Sequence, residues 1–364
     1  MFSRILFSAL VSVAVAWGGV LAADDQAPLR VHFINLGRGD ATLFEYPCGT
    51  ILFDAGGDKG KAKKLTDYLD AYFDRRQDLP RRLDLLVLSH SHPDHTLYSD
   101  KIIKRYEIGT LLTNGHLEER SFKRMQMAKL LENHPEIDHR KVDTETIPPG
   151  GLSLPIARDL GCTEGPYSDL RLLWGDSRPK PADWSKNEYG HENNHSVALM
   201  VFWGETRTLL TGDMQKPSLR ALLDIDEALL ADVDLYQVSH HGVPSGTLVE
   251  FDEHIRPRIA VLSRPANLAW QVETLEQFNA VVRERRDPVR VPVWAFDGSK
   301  QAMDALDDEY LADVMFEKDH RGRHQNPGSA VLTSAVYWTG IDGTVVVEVT
   351  PQGDLSVNAE AKRR

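Results

Sequence analysis

His90-Ser91-His92-Pro93-Asp94-His95 places three imidazoles and a carboxylate within six residues. It directly follows Leu83-Asp84-Leu85-Leu86-Val87-Leu88-Ser89, a run with the length and near-continuous apolarity of a strand buried on both faces. The six residues therefore fall at a strand end, which is where α/β sheets hold ligands. A solvated His-rich loop would need no such placement. In the extended or turning backbone around Pro93, His90 and His92 point the same way, whereas Asp94 and His95 are adjacent and diverge. One pair can then hold one metal ion, and the other pair a second.

The same arrangement recurs downstream. Two strands, His195 to Phe202 and Arg207 to Thr211, flank a Gly204-Glu205 turn and lead to Gly212-Asp213. A carboxylate there can give one oxygen to each of two ions. A further apolar strand, Val233 to Val238, ends at Ser239-His240-His241-Gly242. Three apolar strands that each end in a ligand are how a rigid scaffold preorganises a metal centre. Asp54 closes the strand Thr50 to Phe53 before Ala55-Gly56-Gly57 and has two readings, a carboxylate that orients a metal-bound imidazole or a turn former. His116 is one more imidazole just past a strand, Ile108 to Thr113.

Around these points the chain reads as mixed α and β structure. Leu29 to Asn35, Ala41 to Tyr46 and Thr50 to Phe53 form an antiparallel meander, not βαβ units. Lys61 to Phe73 is a helix with Leu65, Tyr68, Leu69 and Phe73 on one face, and Ile102 to Tyr106 and Ser121 to Asn133 are helices too. Residues 134 to 190, rich in Pro, Gly and polar residues around one strand at Leu170 to Trp174, read as loops over a site. A strand at Ile259 to Ser263, a helix at Leu275 to Arg285, a strand at Val291 to Phe296 and a hairpin of Thr344 to Val349 with Asp354 to Val357 complete the pattern.

The 364 residues are 41% hydrophobic and 26% charged, enough to bury a large core, and nothing resembles a flexible linker. Residues 1–22 differ: a single charge at Arg4, an apolar run from Ile5 to Val20, and Val20-Leu21-Ala22 before an acidic stretch. This is the pattern of an export signal, or of an uncleaved anchor, followed by a single domain over 23–364. The net charge of −12 argues against tight, non-specific nucleic-acid binding, which depends on neutralising phosphates, and favours a small or short substrate. The two cysteines, Cys48 and Cys162, could pair in an oxidising compartment or stay as buried thiols. Neither is near the His cluster, so thiolate ligation of a metal is not expected.

An HxHxDH stretch at a strand end, a later Thr211-Gly212-Asp213 and a His after an apolar strand resemble the metallo-β-lactamase superfamily. Val31 to Thr42, Ile51-Leu52-Phe53-Asp54-Ala55-Gly56, Asn194 with Ser196-Val197, Leu209 to Asp213 and His240-His241-Gly242 are similar to the hydrolase domain of ComEC-type competence proteins, over about residues 30–262. The resemblance implies an α+β fold, an αββα four-layer sandwich with metals at the sheet edges. It further implies His90 and His92 on the first ion, Asp94 and His95 on the second, Asp213 bridging, and His240 completing the second, with His241 as the alternative. By position, His195 would be the superfamily's third His. Leu97-Tyr98-Ser99 replaces the usual Gly-Gly, and Asn267 to Gln271 carries no His where the family has one. A membrane channel of the competence type is not expected, so a role in DNA uptake does not carry over.

These readings converge on metal-assisted hydrolysis by a metal-bound hydroxide, with Asp94 and Asp213 as the catalytic carboxylates and Asp94 also able to accept or return a proton. Imidazole and carboxylate donors suit two Zn²⁺ ions, with Mn²⁺ or Fe as alternatives. The subgroup resemblance implies a phosphodiester substrate. A lactone or β-lactam is the second reading, and a metal-binding interaction module without turnover is the third.

Overall fold

Three short, buried strands give way to two of seven residues, and that change builds the first sheet. The computed structural model describes residues 27–117, 126–156, 160, 167–177, 179–225, 227–294 and 328–360. The export signal, Cys162, the start of the helix expected at Ser121 and the end of the strand expected at Phe296 lie outside the described residues. Leu29–Phe33 (β1), Thr42–Glu45 (β2) and Thr50–Phe53 (β3) form the expected antiparallel meander. Arg82–Leu88 (β4), Glu107–Thr113 (β5) and Asp138–Lys141 (β6) then add in parallel. A parallel addition needs a crossover. Helices Ala62–Arg75 and Ser99–Arg105 supply the first two, packing Leu65, Leu69, Phe73, Ile102 and Ile103 on Leu43, Leu52, Leu86 and Leu88.

The second sheet contains Leu152–Ser153 (β7), Ser168–Trp174 (β8), Ala198–Trp203 (β9), Thr206–Leu210 (β10), Leu235–Gln237 (β11) and Ile259–Leu262 (β12). Trp270–Gln271 (β13), Arg285–Trp294 (β14) and Gly328–Ser334 (β15) make a small third sheet. Val336–Trp338 (β16) pairs with β12 at one edge of the second sheet. Val345–Val349 (β17) and Leu355–Ala359 (β18) return to the first sheet beside β1. The order is β18-β17-β1-β2-β3-β4-β5-β6 in one sheet and β16-β12-β11-β10-β9-β8-β7 in the other.

Val31, Phe33, Phe44, Phe53, Leu85 and Val87 from the first sheet share one buried cluster with Leu170, Leu172, Met200, Leu209 and Val261 from the second. Helices Lys216–Ile225, Val249–Ile255 and Val272–Val281 add Leu219, Leu222, Phe251, Ile255, Leu275 and Phe278 to it. The layering is helix, sheet, sheet, helix, the expected αββα sandwich. Three features differ from expectation. Residues 134–190 hold β6, β7 and a helix at Lys186–Gly190 besides β8, and helices stand at 216–225 and 249–255 where none was expected. Cys48 is disulfide-bonded. Among the described residues, no helix is long and apolar enough to cross a membrane.

Candidate metal centre

The first half of the site grows from the end of β4. The β3–β4 pairing sets Phe53 opposite Val87, so Asp54 stands beside Ser89 and accepts from its backbone N–H at 2.7 Å and its hydroxyl at 2.8 Å. His92 is extended at φ −64°, ψ 148° and precedes the one-turn helix Pro93–Thr96, with Pro93 in its first turn. Extended backbone before the proline brings His90 and His92 together, Nε2 to Nδ1 at 3.0 Å. The helical turn swings His95 inward, where its Nδ1 meets Asp54 Oδ2 at 2.7 Å. A carboxylate behind an imidazole fixes the tautomer and turns the other nitrogen outward.

Two glycines let the chain close around this turn. The Asp40 N–H donates to the Asp94 carbonyl at 3.0 Å, and the Ala55 N–H to the His95 carbonyl at 2.8 Å. A Cβ at Gly56 would lie 1.5 Å from the Asp94 oxygen, and one at Gly39, where φ is +112°, 2.2 Å from it. Only glycine permits that approach.

The second sheet supplies the other half. Asp213, just past β10, places Oδ1 3.1 Å from His95 Nε2 and Oδ2 3.5, 3.8 and 3.9 Å from Nε2 of His241, His240 and His90. One buried carboxylate thus faces four imidazoles. His240 and His241 both adopt left-handed backbone, φ 46° and 52°, so successive side chains diverge. His241 Nδ1 donates to the Ser263 carbonyl at 2.8 Å and its Nε2 lies 3.3 Å from Asp94 Oδ2 and 3.3 Å from His95 Nε2. His240 faces Asp213 from another side: its Nε2 also accepts from Asn193 Nδ2 at 3.1 Å, and its Nδ1 meets Ser245 Oγ at 3.1 Å. His241, not His240, therefore stands with Asp94 and His95. The left-handed turn at both residues causes the exchange.

The expected place of His195 also changes. Its Nε2 donates to the Tyr189 carbonyl at 2.8 Å, and its Nδ1 faces Ser177 and, at 3.6 Å, Asp176. A short 3₁₀ turn, Glu192–His195, directs Asn193 toward His240 and His195 away from it. His90, His92, Asp94, His95, Asp213, His240 and His241 come together; His195 joins His116 and Asp176 instead. Asp40 and Asn193 went unforeseen. Asp40 Oδ2 sits 3.9 Å from His95 Nδ1 and 3.8 Å from His241 Nδ1, behind both rings. The signal for Asp40 was present, a carboxylate after the strand β1 and a glycine turn.

The donors fit divalent cations. Buried Asp94 Oδ1, Asp213 Oδ1 and Asp40 Oδ1 accept no hydrogen bond. A buried anionic oxygen without a donor is costly, and a cation relieves it. Without ions, protons take that part. Burial by itself would lower His95 and His241, but Asp213 together with Asp54, Asp94 and Asp40 holds both well above the usual histidine range. Burial, reinforced by His95 and His92, drives His90 well below it. Asp213 lies well below the usual carboxylate range because His241 and His95 outweigh its burial. Imidazole and carboxylate donors in this number suit borderline divalent metals such as zinc.

A family model described as the metallo-beta-lactamase superfamily matches residues 34–265. ComE operon protein 3 of Bacillus subtilis (strain 168) is 24% identical over 252 residues, covering 65% of this chain and 28% of that protein. The chain thus spans less than a third of that relative's length. Among solved structures, the metallo-beta-lactamase fold protein YhfI from Bacillus subtilis is similar at 13% identity and a TM-score of 0.42, over 70% of this chain and 94% of that one. The short form of human tRNase Z is similar at 13% identity and a TM-score of 0.36, over 65% and 92%.

Proposed function

The chain belongs to the metallo-β-lactamase superfamily, and we propose that it is an exported hydrolase using two divalent metal ions on a phosphodiester. The observation that carries this reading is Asp213, a buried carboxylate within 3.9 Å of imidazole nitrogens from His90, His95, His240 and His241. His90 and His92 would hold one ion, with His240 as the third imidazole at Asp213 Oδ2. Asp94, His95 and His241 would hold the second, with Asp213 between the two. Two such ions supply Lewis acidity toward a phosphoryl oxygen and lower the pKa of a water toward neutrality.

The protein's own groups do the rest. Asp54 and the Ser263 carbonyl hold the Nδ1 protons of His95 and His241, so each ring presents Nε2 inward. Asp94, besides holding the second ion, would be the carboxylate that takes or returns a proton. Zinc is the metal the donor set favours, with manganese or iron as alternatives. The resemblance of the opening strand and the His-His-Gly turn to ComEC-type hydrolase domains supports a phosphodiester, and the acidic surface supports a short one over extended nucleic acid. Residues 1–22 and the disulfide at Cys48 support export.

The test is hydrolysis of bis(p-nitrophenyl) phosphate by the chain from Ala23, loaded with Zn²⁺ or Mn²⁺, beside Asp213→Asn. Turnover reduced at least 100-fold in the variant is expected. Turnover no higher than the variant's, with both ions bound, overturns the phosphodiester reading, and assays on lactones and β-lactams then decide between another hydrolase and a binding module.

A further inference from the structure

A second group of metal-type donors lies outside the centre just described. His116 follows β5, Asp176 follows β8, and Glu192 and His195 bound the 3₁₀ turn at 192–195. His116 Nδ1 donates to Glu192 Oε2 at 2.8 Å, and Glu192 Oε1 is held by the Asn114 amide at 2.8 Å. His195 Nε2 faces the Tyr189 carbonyl at 2.8 Å, an oxygen that only accepts, so that nitrogen carries the proton. In the neutral rings, the remaining nitrogens are lone pairs. His116 Nε2 lies 3.0 Å, and His195 Nδ1 3.6 Å, from the same oxygen, Asp176 Oδ1.

Three acceptors thus converge within 4.8 Å of one another, each imidazole fixed from behind by an oxygen. A divalent ion placed among these three atoms would be met by all of them at once. We propose that His116 Nε2, His195 Nδ1 and Asp176 Oδ1 bind a single zinc ion, a structural site separate from the two-metal centre. Four-coordinate zinc at its usual bond lengths sets its donors ~3.3 Å apart, between the two distances to Asp176 Oδ1. The Glu192–His116 pair is the carboxylate–imidazole arrangement that orients zinc-binding histidines. The His116 side chain is 12% exposed, which leaves room for a water as fourth donor. Among the described residues Ser177 competes at His195 Nδ1, with its N–H at 3.3 Å and its hydroxyl at 3.1 Å. The ion would tie the ends of β5 and β8 to the turn that presents Asn193 to His240.

A proton is the rival occupant. Shared among His116, Asp176 and Glu192, it would satisfy the same carboxylates but would leave His195 to Ser177. Zinc per chain, measured by emission spectroscopy after gel filtration at pH 7.5, separates the two. The wild-type chain is expected to carry one zinc more than His195→Gln, and Asp176→Asn to show the same loss of one. The difference is counted whether or not the two-metal centre is loaded, so this test and that of the hydrolase fail separately. Equal zinc contents overturn the proposal. Should the variants not fold, ¹⁵N spectra of the zinc-saturated wild type decide: a His116 ring protonated on both nitrogens overturns it, and one proton, on Nδ1, supports it.

Discussion

Asp54 Oδ2 and His95 Nδ1 lie 2.7 Å apart, and neither side chain exposes any surface. Burial pushes the Asp54 carboxyl up to about 6, against the opposing pull of His95 and the Ser89 N–H. In its anionic form it keeps His95 Nε2 free to face Asp213. Asp54→Asn should therefore weaken one ion by about 10–100-fold, as replacing partners behind metal-binding histidines generally does. The wild-type affinity should also fall as pH drops through about 6, where Asp54 takes up a proton and no longer holds His95 in its metal-binding tautomer. Competition with a fluorescent chelator from pH 5 to 8 measures both effects. An unchanged affinity in Asp54→Asn would reduce the pair to a packing contact.

The two histidines of the His-His-Gly turn should separate in function. His241 stands 3.3 Å from Asp94 Oδ2, while His240 meets Asn193. His241→Ala should lose the ion that Asp94 and His95 hold and retain the one at His90 and His92. His240→Ala should keep the Asp94 ion and weaken the other. Metal content per chain, read with a chelator titration of each variant, gives the pattern; the reverse assignment would show that the turn rearranges on loading.

The strand-end pattern exposed most of this centre because it is local: an apolar run and the donor that follows it are neighbours in sequence. His90 to His95, Asp54 and Asp213 were found that way. Direction was less legible. Alternation of side chains describes extended strands, and at His240 and His241 the backbone is left-handed instead. At residues 192–195 a 3₁₀ turn similarly hands the inward position to Asn193. Asp40 reaches the site only through the pairing of its N–H with the Asp94 carbonyl, a contact of high sequence separation. The layers were legible from strand patterning, whereas the helix Lys216–Ile225 was not, since Pro217 and the doublet Leu222-Leu223 blur its start and its period.

Gly56→Ala should damage the site without removing any donor. The new methyl would sit 1.5 Å from the Asp94 carbonyl oxygen and 2.4 Å from the His95 nitrogen, both backbone atoms that cannot swing aside. The one-turn helix carrying Asp94 and His95 must shift. A loss of about 2–4 kcal/mol in urea unfolding is expected, with weaker metal binding in the fraction that folds. Stability and affinity equal to wild type would mean that the 93–96 turn moves freely.

Cys48 is disulfide-bonded, and Cys162 is the only other cysteine of the chain. A bond closing a loop of this order restricts the unfolded chain and contributes about 4–5 kcal/mol on the loop-entropy estimate. Reductant should therefore lower the thermal midpoint of the wild-type chain, and Cys48→Ser should unfold at that lower temperature with or without reductant. A midpoint of the wild type insensitive to reductant would remove this support for an oxidising destination.

Outside the candidate metal centre, Glu45 collects an unusual share of positive charge. Its side chain is 1% exposed and meets Arg75 at 2.6 and 2.8 Å, Arg76 at 3.2 Å, His32 at 3.2 Å and Arg30 at 3.4 Å. Burial by itself would raise its pKa, but the Arg75 and His32 hydrogen bonds outweigh it and hold the group well below the usual carboxylate range. The unfolded chain then binds a proton at Glu45 near pH 4.3 while the folded chain does not, so this stabilisation is full above that pH and is lost as pH falls below it. His32, lowered chiefly by burial, acts in the same direction: its unfolded form protonates near pH 6.5 before its folded form does. These two groups should thus withdraw stability from about pH 6.5 downward. Glu45→Gln should cost about 2–4 kcal/mol at pH 7, the arginines being partly exposed, and should flatten the decline below pH 4.5. Urea unfolding of both chains between pH 3.5 and 7 measures the difference. Parallel pH curves would show that the loss in the variant is one of packing and not of charge.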